Sequence, residues 1–262
     1  MFQPDPKCYV LITGASSGIG EGLAREFARR GQPLILTARR RDRLKALARE
    51  LSSQTRVEWV AADLNDPSGP GRLAAACKKK KWRVMGLANN AGLGFNKSFS
   101  KLSANEIGRM MQVNMSALVE LTRLFLPQIR RSGNGFVLNL ASTAAFQPVP
   151  YFSVYAASKA FVVSFSEALH EELRREGVQV CCLCPGPVAT EFQQVAGMSP
   201  RFFARSQSVD DVVRAAMRLL AGRGAIAWTS WFQRIFSAVS EATPRGARRR
   251  IAAGLMKWSG AE

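Results

Sequence analysis

Short apolar runs and longer amphipathic stretches alternate along the whole chain. The first run, Cys8-Tyr9-Val10-Leu11-Ile12, holds no charge and suits a strand buried on both faces. After a glycine-rich turn, Leu23, Ala24, Phe27 and Ala28 recur at helical spacing on one face. The same alternation predicts strands near 8–13, 33–37, 57–61, 84–88, 135–141, 178–184 and 225–229. Helices fill the intervals, and the longest cover about 103–127 and 152–176. Alternating β and α units predict an α/β fold. Its seven-stranded, mostly parallel sheet is doubly wound, with helices on both faces. No linker, internal repeat or low-complexity block divides the 262 residues, which suffice for one large core. The main domain is expected at 1–229, and 230–262 form a C-terminal amphipathic helical extension of it.

The turn after the first run reads Thr13-Gly14-Ala15-Ser16-Ser17-Gly18-Ile19-Gly20. Strand, glycine turn and helix is the order that binds a dinucleotide. Gly14 permits the tight turn, while Gly18 and Gly20 admit pyrophosphate and close helix packing. The helix N-terminus then offers N–H donors to phosphate. Alone, this motif would also suit an ordinary βα turn. Its place at the start of the first βαβ unit favours the nucleotide.

Tyr155 and Lys159 lie one helical turn apart, and Ser142 stands thirteen residues upstream of the tyrosine. A phenol titrates near 10, too high for easy proton exchange at neutrality. A neighbouring ammonium is expected to stabilise the phenolate and lower that value. The pair therefore reads as a general acid/base rather than two surface residues.

The five cysteines are Cys8, Cys77, Cys181, Cys182 and Cys184. Alternation sends neighbours in the Cys181–Cys184 run to opposite sheet faces, so buried reduced thiols are expected and no metal site. His170, the only histidine, sits among Glu167, Glu171 and Glu172 and is expected on a solvated helix face. A Ser-His-Asp mechanism finds no support. No signal peptide or long apolar span is visible, which predicts a cytoplasmic location.

These motifs, in this order, resemble the classical short-chain dehydrogenases/reductases over about residues 7–229. The matching residues are 13–20, Asp63, Asn89-Asn90-Ala91-Gly92, Asn114, Ser142, Tyr155 with Lys159, and Pro185-Gly186 with Thr190. The likeness is strongest to the branch of DltE-like oxidoreductases and keto-reductase-type hydroxysteroid dehydrogenases. The resemblance implies a Rossmann fold and a catalytic tetrad of Asn114, Ser142, Tyr155 and Lys159. Ser142 would bind a substrate carbonyl, and Tyr155 would exchange the proton as hydride moves at nicotinamide C4. Lys159 would hold the nicotinamide ribose. Asn114, a poor helix former, would hold a local helix distortion and a proton-relaying water.

The same resemblance places a cofactor on Gly14, Ser16, Ser17, Gly18, Ile19 and Gly20, with Asp63 and Leu64 at the adenine. Asn90, Ala91 and Gly92 would line its cleft or simply support the sheet. Pro185, Gly186, Val188 and Thr190 would border the nicotinamide end, with Tyr155 and Lys159. Ala38 occupies the position that is Asp in NAD-preferring relatives, and Arg39-Arg40-Arg41 follow. Guanidinium suits a 2′-phosphate, so Arg39 and Arg40 favour NADP(H) over NAD(H).

The loops expected over the substrate are apolar: Phe95, Phe99, Phe146, Pro148, Val149, Pro150 and Phe152, then Val188, Phe192, Val195, Met198, Phe202 and Phe203. They predict a hydrophobic carbonyl or alcohol substrate. Past 229, Trp231, Phe232, Ile235, Phe236 and Val239 form one stripe, and Ile251, Leu255 and Trp258 another, beside Arg248, Arg249, Arg250 and Lys257. Lys78-Lys79-Lys80-Lys81 adds a basic cluster, and the formal net charge is +18. Three readings of the C-terminal helices stay open: a roof on the cleft, an oligomer contact, and a peripheral contact with an anionic membrane. No nucleic-acid reader motif appears, and the basic residues are spread over many helices, so nucleic acid is not expected as a partner. The resemblance implies a homodimer or homotetramer built on the helices at 103–127 and 152–176. The alternative to an enzyme is a non-catalytic NADP-binding sensor or scaffold, which the intact Ser142–Tyr155 pair disfavours.

Overall fold

The structure, a computed structural model, describes residues 3–198 and 206–258, the last four by backbone alone. Seven strands form the sheet: β1 (Tyr9–Thr13), β2 (Leu34–Ala38), β3 (Val57–Ala61), β4 (Val84–Asn89), β5 (Phe136–Leu140), β6 (Gln179–Cys184) and β7 (Ile226–Trp228). Their order is β3-β2-β1-β4-β5-β6-β7, and every pairing is parallel. The order reverses between β1 and β4. The crevice beyond their carboxyl ends is where open α/β sheets bind ligands.

Strict alternation in the strands feeds two cores. Val10, Ile12, Leu34 and Leu36 pack against α1 (Gly18–Arg29), α2 (Arg41–Leu51) and α8 (Val209–Ala221) through Leu23, Phe27, Leu44 and Val212. Leu11, Leu87 and Val137 face α3 (Gly69–Lys79) and α5 (Ala117–Arg131) through Leu73, Leu121 and Phe125. Because β1, β4 and β5 are buried on both faces, they read as largely apolar runs, broken in β5 by Asn139, whose amide is bonded to Asn89 and Ser166.

The helix expected over 103–127 is interrupted and longer. Ser103 and Glu106 form a capping box that opens α4 (Ala104–Met111). A π-helical segment, Gln112–Ser116, follows and carries Asn114 at its centre. α5 then runs through Pro127 to Arg131, because Ile129 is buried against the sheet and holds the last turn in place. α6 (Ser153–Leu173) is uninterrupted. His170 corrects an expectation: it is half-buried, and its Nδ1 lies 2.7 Å from the Val180 carbonyl, tying α6 to β6. All five cysteines are buried free thiols.

A short helix, α7 (Glu191–Val195), follows β6. After β7, α9 (Trp231–Ala242) and α10 (Arg245–Trp258) fold back onto the body. Trp228 Nε1 donates to Ser237 Oγ at 2.9 Å, and Ser240 Oγ donates to the Phe146 carbonyl at 3.0 Å. Arg248 reaches the same carbonyl at 3.3 Å. Among the described residues, no helix is long and apolar enough to cross a membrane.

Candidate active site

The carboxyl ends of β1, β2, β4, β5 and β6 open into one cleft of about 920 Å³. Its floor begins at Gly14, whose φ is +65° and where a Cβ would meet Asn90 Nδ2 at 2.8 Å. Only glycine allows that approach. Asn90 Nδ2 donates to the Thr13 carbonyl at 2.9 Å, and the Asn90 and Ala91 amides both donate to Thr13 Oγ1 at 2.9 Å. Asn90 therefore splints the ends of β1 and β4 while also lining the cleft. A Cβ on Gly20 would strike the Gly14 carbonyl, so this glycine serves helix packing behind the wall.

Gly14, Ser16, Ser17, Gly18 and Ile19 line the cleft, as do Asp63, Leu64, Ala91, Gly92, Pro185, Gly186, Val188 and Thr190. Gly20 and Asn114 do not reach it. At the end of β2, Arg39 and Arg40 stand at its rim and no carboxylate accompanies them on that strand. Arg40 is held in place: Nε donates to Ser16 Oγ at 3.1 Å and Nη2 to Ser17 Oγ at 2.7 Å. Its Nη1 pairs with Glu191 at 2.6 Å, and Arg43 pairs with the same carboxylate at 2.5 Å. The arginines, Arg43 first, hold the Glu191 carboxyl down at about 2. The donors at the start of α1, the space that the glycines keep clear and the guanidinium pair at β2 fit a dinucleotide carrying an extra phosphate.

The other half of the cleft holds Ser142, Tyr155 and Lys159. Ser142 caps a 3-10 turn after β5, and its Oγ accepts from the Ala144 amide at 3.1 Å. The Ser142 side chain lies beside the Tyr155 hydroxyl and acts to lower its pKa. Phe152 stacks on the Tyr155 ring at 4.2 Å, and Phe192 of α7 lies at 5.5 Å. Lys159 Nζ donates to the Leu140 carbonyl at 2.8 Å. Asn114 is buried behind them. Its Oδ1 accepts from the Leu93 amide, and its Nδ2 donates to the Leu93 carbonyl and to Ser158 Oγ, each at 2.9 Å. Ser158 in turn donates to the Tyr155 carbonyl at 2.7 Å. The π-helical segment is thus tied to the turn of α6 that carries Tyr155 and Lys159.

The electrostatics depart from the expectation for the Tyr-Lys pair. Burial pushes the Tyr155 phenol up to about 12, and the nearby Ser142 hydroxyl only partly offsets it. Burial likewise brings the Lys159 ammonium down to about 8. The protein alone does not draw the phenol toward neutrality, because Lys159 points at a backbone carbonyl and stands over the tyrosine ring.

Part of the lining comes from the C-terminal helices, in keeping with one of the three readings open for them. Phe232, Gln233 and Phe236 of α9 and Ala252 of α10 close one side, so the C-terminal helices do wall the cleft. Gln233 lies so close over Gly186 that a Cβ there would collide with it. Glu191 gave no sequence signal, since its arginine partners stand 151 and 148 residues earlier. Of the expected lid, Phe202 and Phe203 lie outside the described residues, as do the side chains of Leu255, Lys257 and Trp258. Phe99 is exposed and does not reach the cleft.

This architecture and site define a dinucleotide-binding α/β oxidoreductase. The model of the short chain dehydrogenase family matches residues 8–199. The chain belongs to that family. It is similar to a sulfoacetaldehyde reductase of Chromohalobacter salexigens, 39% identical over 188 residues, which cover 71% of this chain and 75% of that one. A very-long-chain 3-oxoacyl-CoA reductase of Bos taurus is 32% identical over 193 residues, covering 71% of this chain and 61% of the relative. Among solved structures, a short-chain dehydrogenase from Sphingobium yanoikuyae in complex with NADPH superposes with a TM-score of 0.82 at 33% identity, covering 94% of this chain and 95% of that one.

Proposed function

We propose that the protein is an NADP(H)-dependent oxidoreductase that interconverts a carbonyl and an alcohol on a neutral, apolar substrate. The Ser142–Tyr155 contact in an apolar cleft carries this reading. The glycine turn and the start of α1 would hold the pyrophosphate, Arg39 and Arg40 the 2′-phosphate, and Asp63 and Leu64 the adenine. Bound there, the dinucleotide supplies or accepts hydride, as cofactors carry such chemistry. Tyr155 is the general acid/base. With its phenol near 12 it keeps its proton at neutral pH, so it is ready to protonate a carbonyl oxygen. Ser142 donates a second hydrogen bond to that oxygen. Lys159 holds the nicotinamide ribose, and Asn114 keeps the tyrosine turn in position.

The substrate class follows from the lining. Among the described residues, its charged members are Arg39, Arg40, Asp63, Lys159 and Glu191. Lys159 alone of these stands with Tyr155 in the half walled by Leu93, Val149, Phe152, Phe192, Phe232 and Phe236, and its ammonium is turned to the Leu140 carbonyl. A sulfonated aldehyde would find there only the Lys159 ammonium, already bonded to a backbone carbonyl, whereas a long-chain or bulky ketone or aldehyde finds matching surface. The test is NADPH consumption with long-chain, bulky aromatic and sulfonated carbonyls. Turnover of the apolar compounds supports the proposal, and a preference for the sulfonate overturns the substrate class.

Exposed Met111 and Phe161, on α4 and α6, support assembly of the chain into a homodimer or tetramer through those helices. The side-chain bonds from 237, 240 and 248 to the body support reading 230–262 as an extension of the 1–229 domain.

A further inference from the structure

α9 has two faces with different surroundings. Gln233, Ser237 and Ser240 turn inward and bond the body at Thr229, Trp228 and Phe146. Trp231, Ile235 and Val239, at i, i+4 and i+8, form an outward line that is 75%, 51% and 59% exposed. Phe232 continues the line toward the cleft: it is 63% exposed and yet lines the cavity, as does Val195 at 61%. The apolar surface of the helix thus runs without a break into the mouth of the site. A single exposed leucine would need no explanation, but a contiguous stripe ending at a cavity mouth does.

The charge around the stripe selects what covers it. Arg234, Arg245, Arg249 and Arg250 are exposed, and Glu241 is the only acidic residue between 230 and 258. Two copies of this face would bring like charges together, which opposes self-docking. A polyanionic surface relieves the same repulsion, and a lipid surface also accepts tryptophan and aliphatic side chains at its headgroup level. We propose that the outer face of α9 docks on an anionic lipid bilayer, so that the cleft mouth opens onto the membrane and takes its apolar substrate from it. The docking stands on the surface of α9. The supply of substrate rests on the reading of the cleft given above.

The test separates the two. The full chain is sedimented with phosphatidylglycerol or phosphatidylcholine vesicles at low salt, beside a W231S/I235S/V239S variant. These positions are exposed and lie outside the cleft lining, so the variant should fold and should reduce a short water-soluble aldehyde as wild type does. The expected result is wild-type binding to phosphatidylglycerol, release as salt rises, and at least about tenfold weaker binding of the variant. Lack of wild-type binding, or equal binding by both proteins, overturns the docking. So does a wild-type dimer that the substitutions dissociate while neither form binds vesicles, because the stripe would then join two copies. With a long-chain aldehyde dissolved in the vesicles, the variant should turn over at least about tenfold more slowly than wild type. Equal rates there overturn the supply route. Failure of wild type on both aldehydes, with binding intact, faults the catalytic reading and leaves the docking standing.

Discussion

Lys159 donates its ammonium to the Leu140 carbonyl at 2.8 Å and stands 5.7 Å from the centroid of the Tyr155 ring. The two side chains one turn apart on α6 therefore share a wall of the cleft without sharing a proton. Each is destabilised in its charged form by burial, the lysine down to about 8 and the phenol up to about 12. A buried cation with one carbonyl partner lowers stability, a cost that the role proposed for Lys159 at the cofactor would explain.

That arrangement predicts a trade of activity against stability. Lys159→Met should stabilise the ligand-free protein at pH 7 by about 1–3 kcal/mol while carbonyl reduction falls sharply. The sign with pH follows from linkage. The unfolded chain keeps the lysine proton up to 10.5, whereas the folded chain loses it near 8. Across that window the unfolded state binds more protons, so wild type gains on the variant as pH rises from 8 to 10.5. Urea titrations at pH 7 and pH 10 would show it, and an advantage that does not shrink would refute the burial argument.

Asn114 is predicted to be structural in the first place. Asn114→Ala leaves the Leu93 amide and carbonyl without their partner and frees Ser158. Unpaired buried groups of this kind cost about 1–3 kcal/mol. Chemical denaturation should show a loss on that scale, and an unchanged midpoint would mean that the π-helical segment is held by something else.

The cofactor rim makes a separate prediction. Arg39→Ala and Arg40→Ala should each weaken NADPH binding about ten- to a hundredfold and leave NADH nearly unchanged, the scale of a charged hydrogen bond. Fluorescence titration of both nucleotides checks it. A wild type that binds NADH more tightly would contradict the reading of β2.

Glu191 should oppose that preference. It occupies Arg40 and Arg43 at 2.6 and 2.5 Å from a position near 40% exposed. Glu191→Gln frees both guanidiniums, so NADPH should bind about two- to fivefold more tightly, in keeping with a surface ion pair. Weaker NADPH binding in this variant would show that the carboxylate instead helps to close α7 over the site.

The strands were legible because β1, β4, β5 and β6 are largely apolar runs between glycine or polar turns. The glycine turn and the Ser142, Tyr155 and Lys159 set were legible because each keeps a local spacing. What was hidden depends on contacts distant in sequence. The acidity of Tyr155 turns on burial under Phe152 and Phe192, and no spacing rule conveys that. The helix expected over 103–127 runs on to Arg131, where Ile129 is buried against the sheet. The stripe of α9 was visible, but its division into a cleft-lining edge and an exposed line follows only from how the helix docks.

The central claim is that Tyr155 supplies the proton for carbonyl reduction. Tyr155→Phe keeps the ring that stacks on Phe152 and removes only the hydroxyl. NADPH titration and initial rates on an apolar carbonyl that wild type reduces test it directly. Unchanged NADPH affinity with a rate at least about a hundredfold lower is the predicted result. Near-normal turnover by Tyr155→Phe would contradict it.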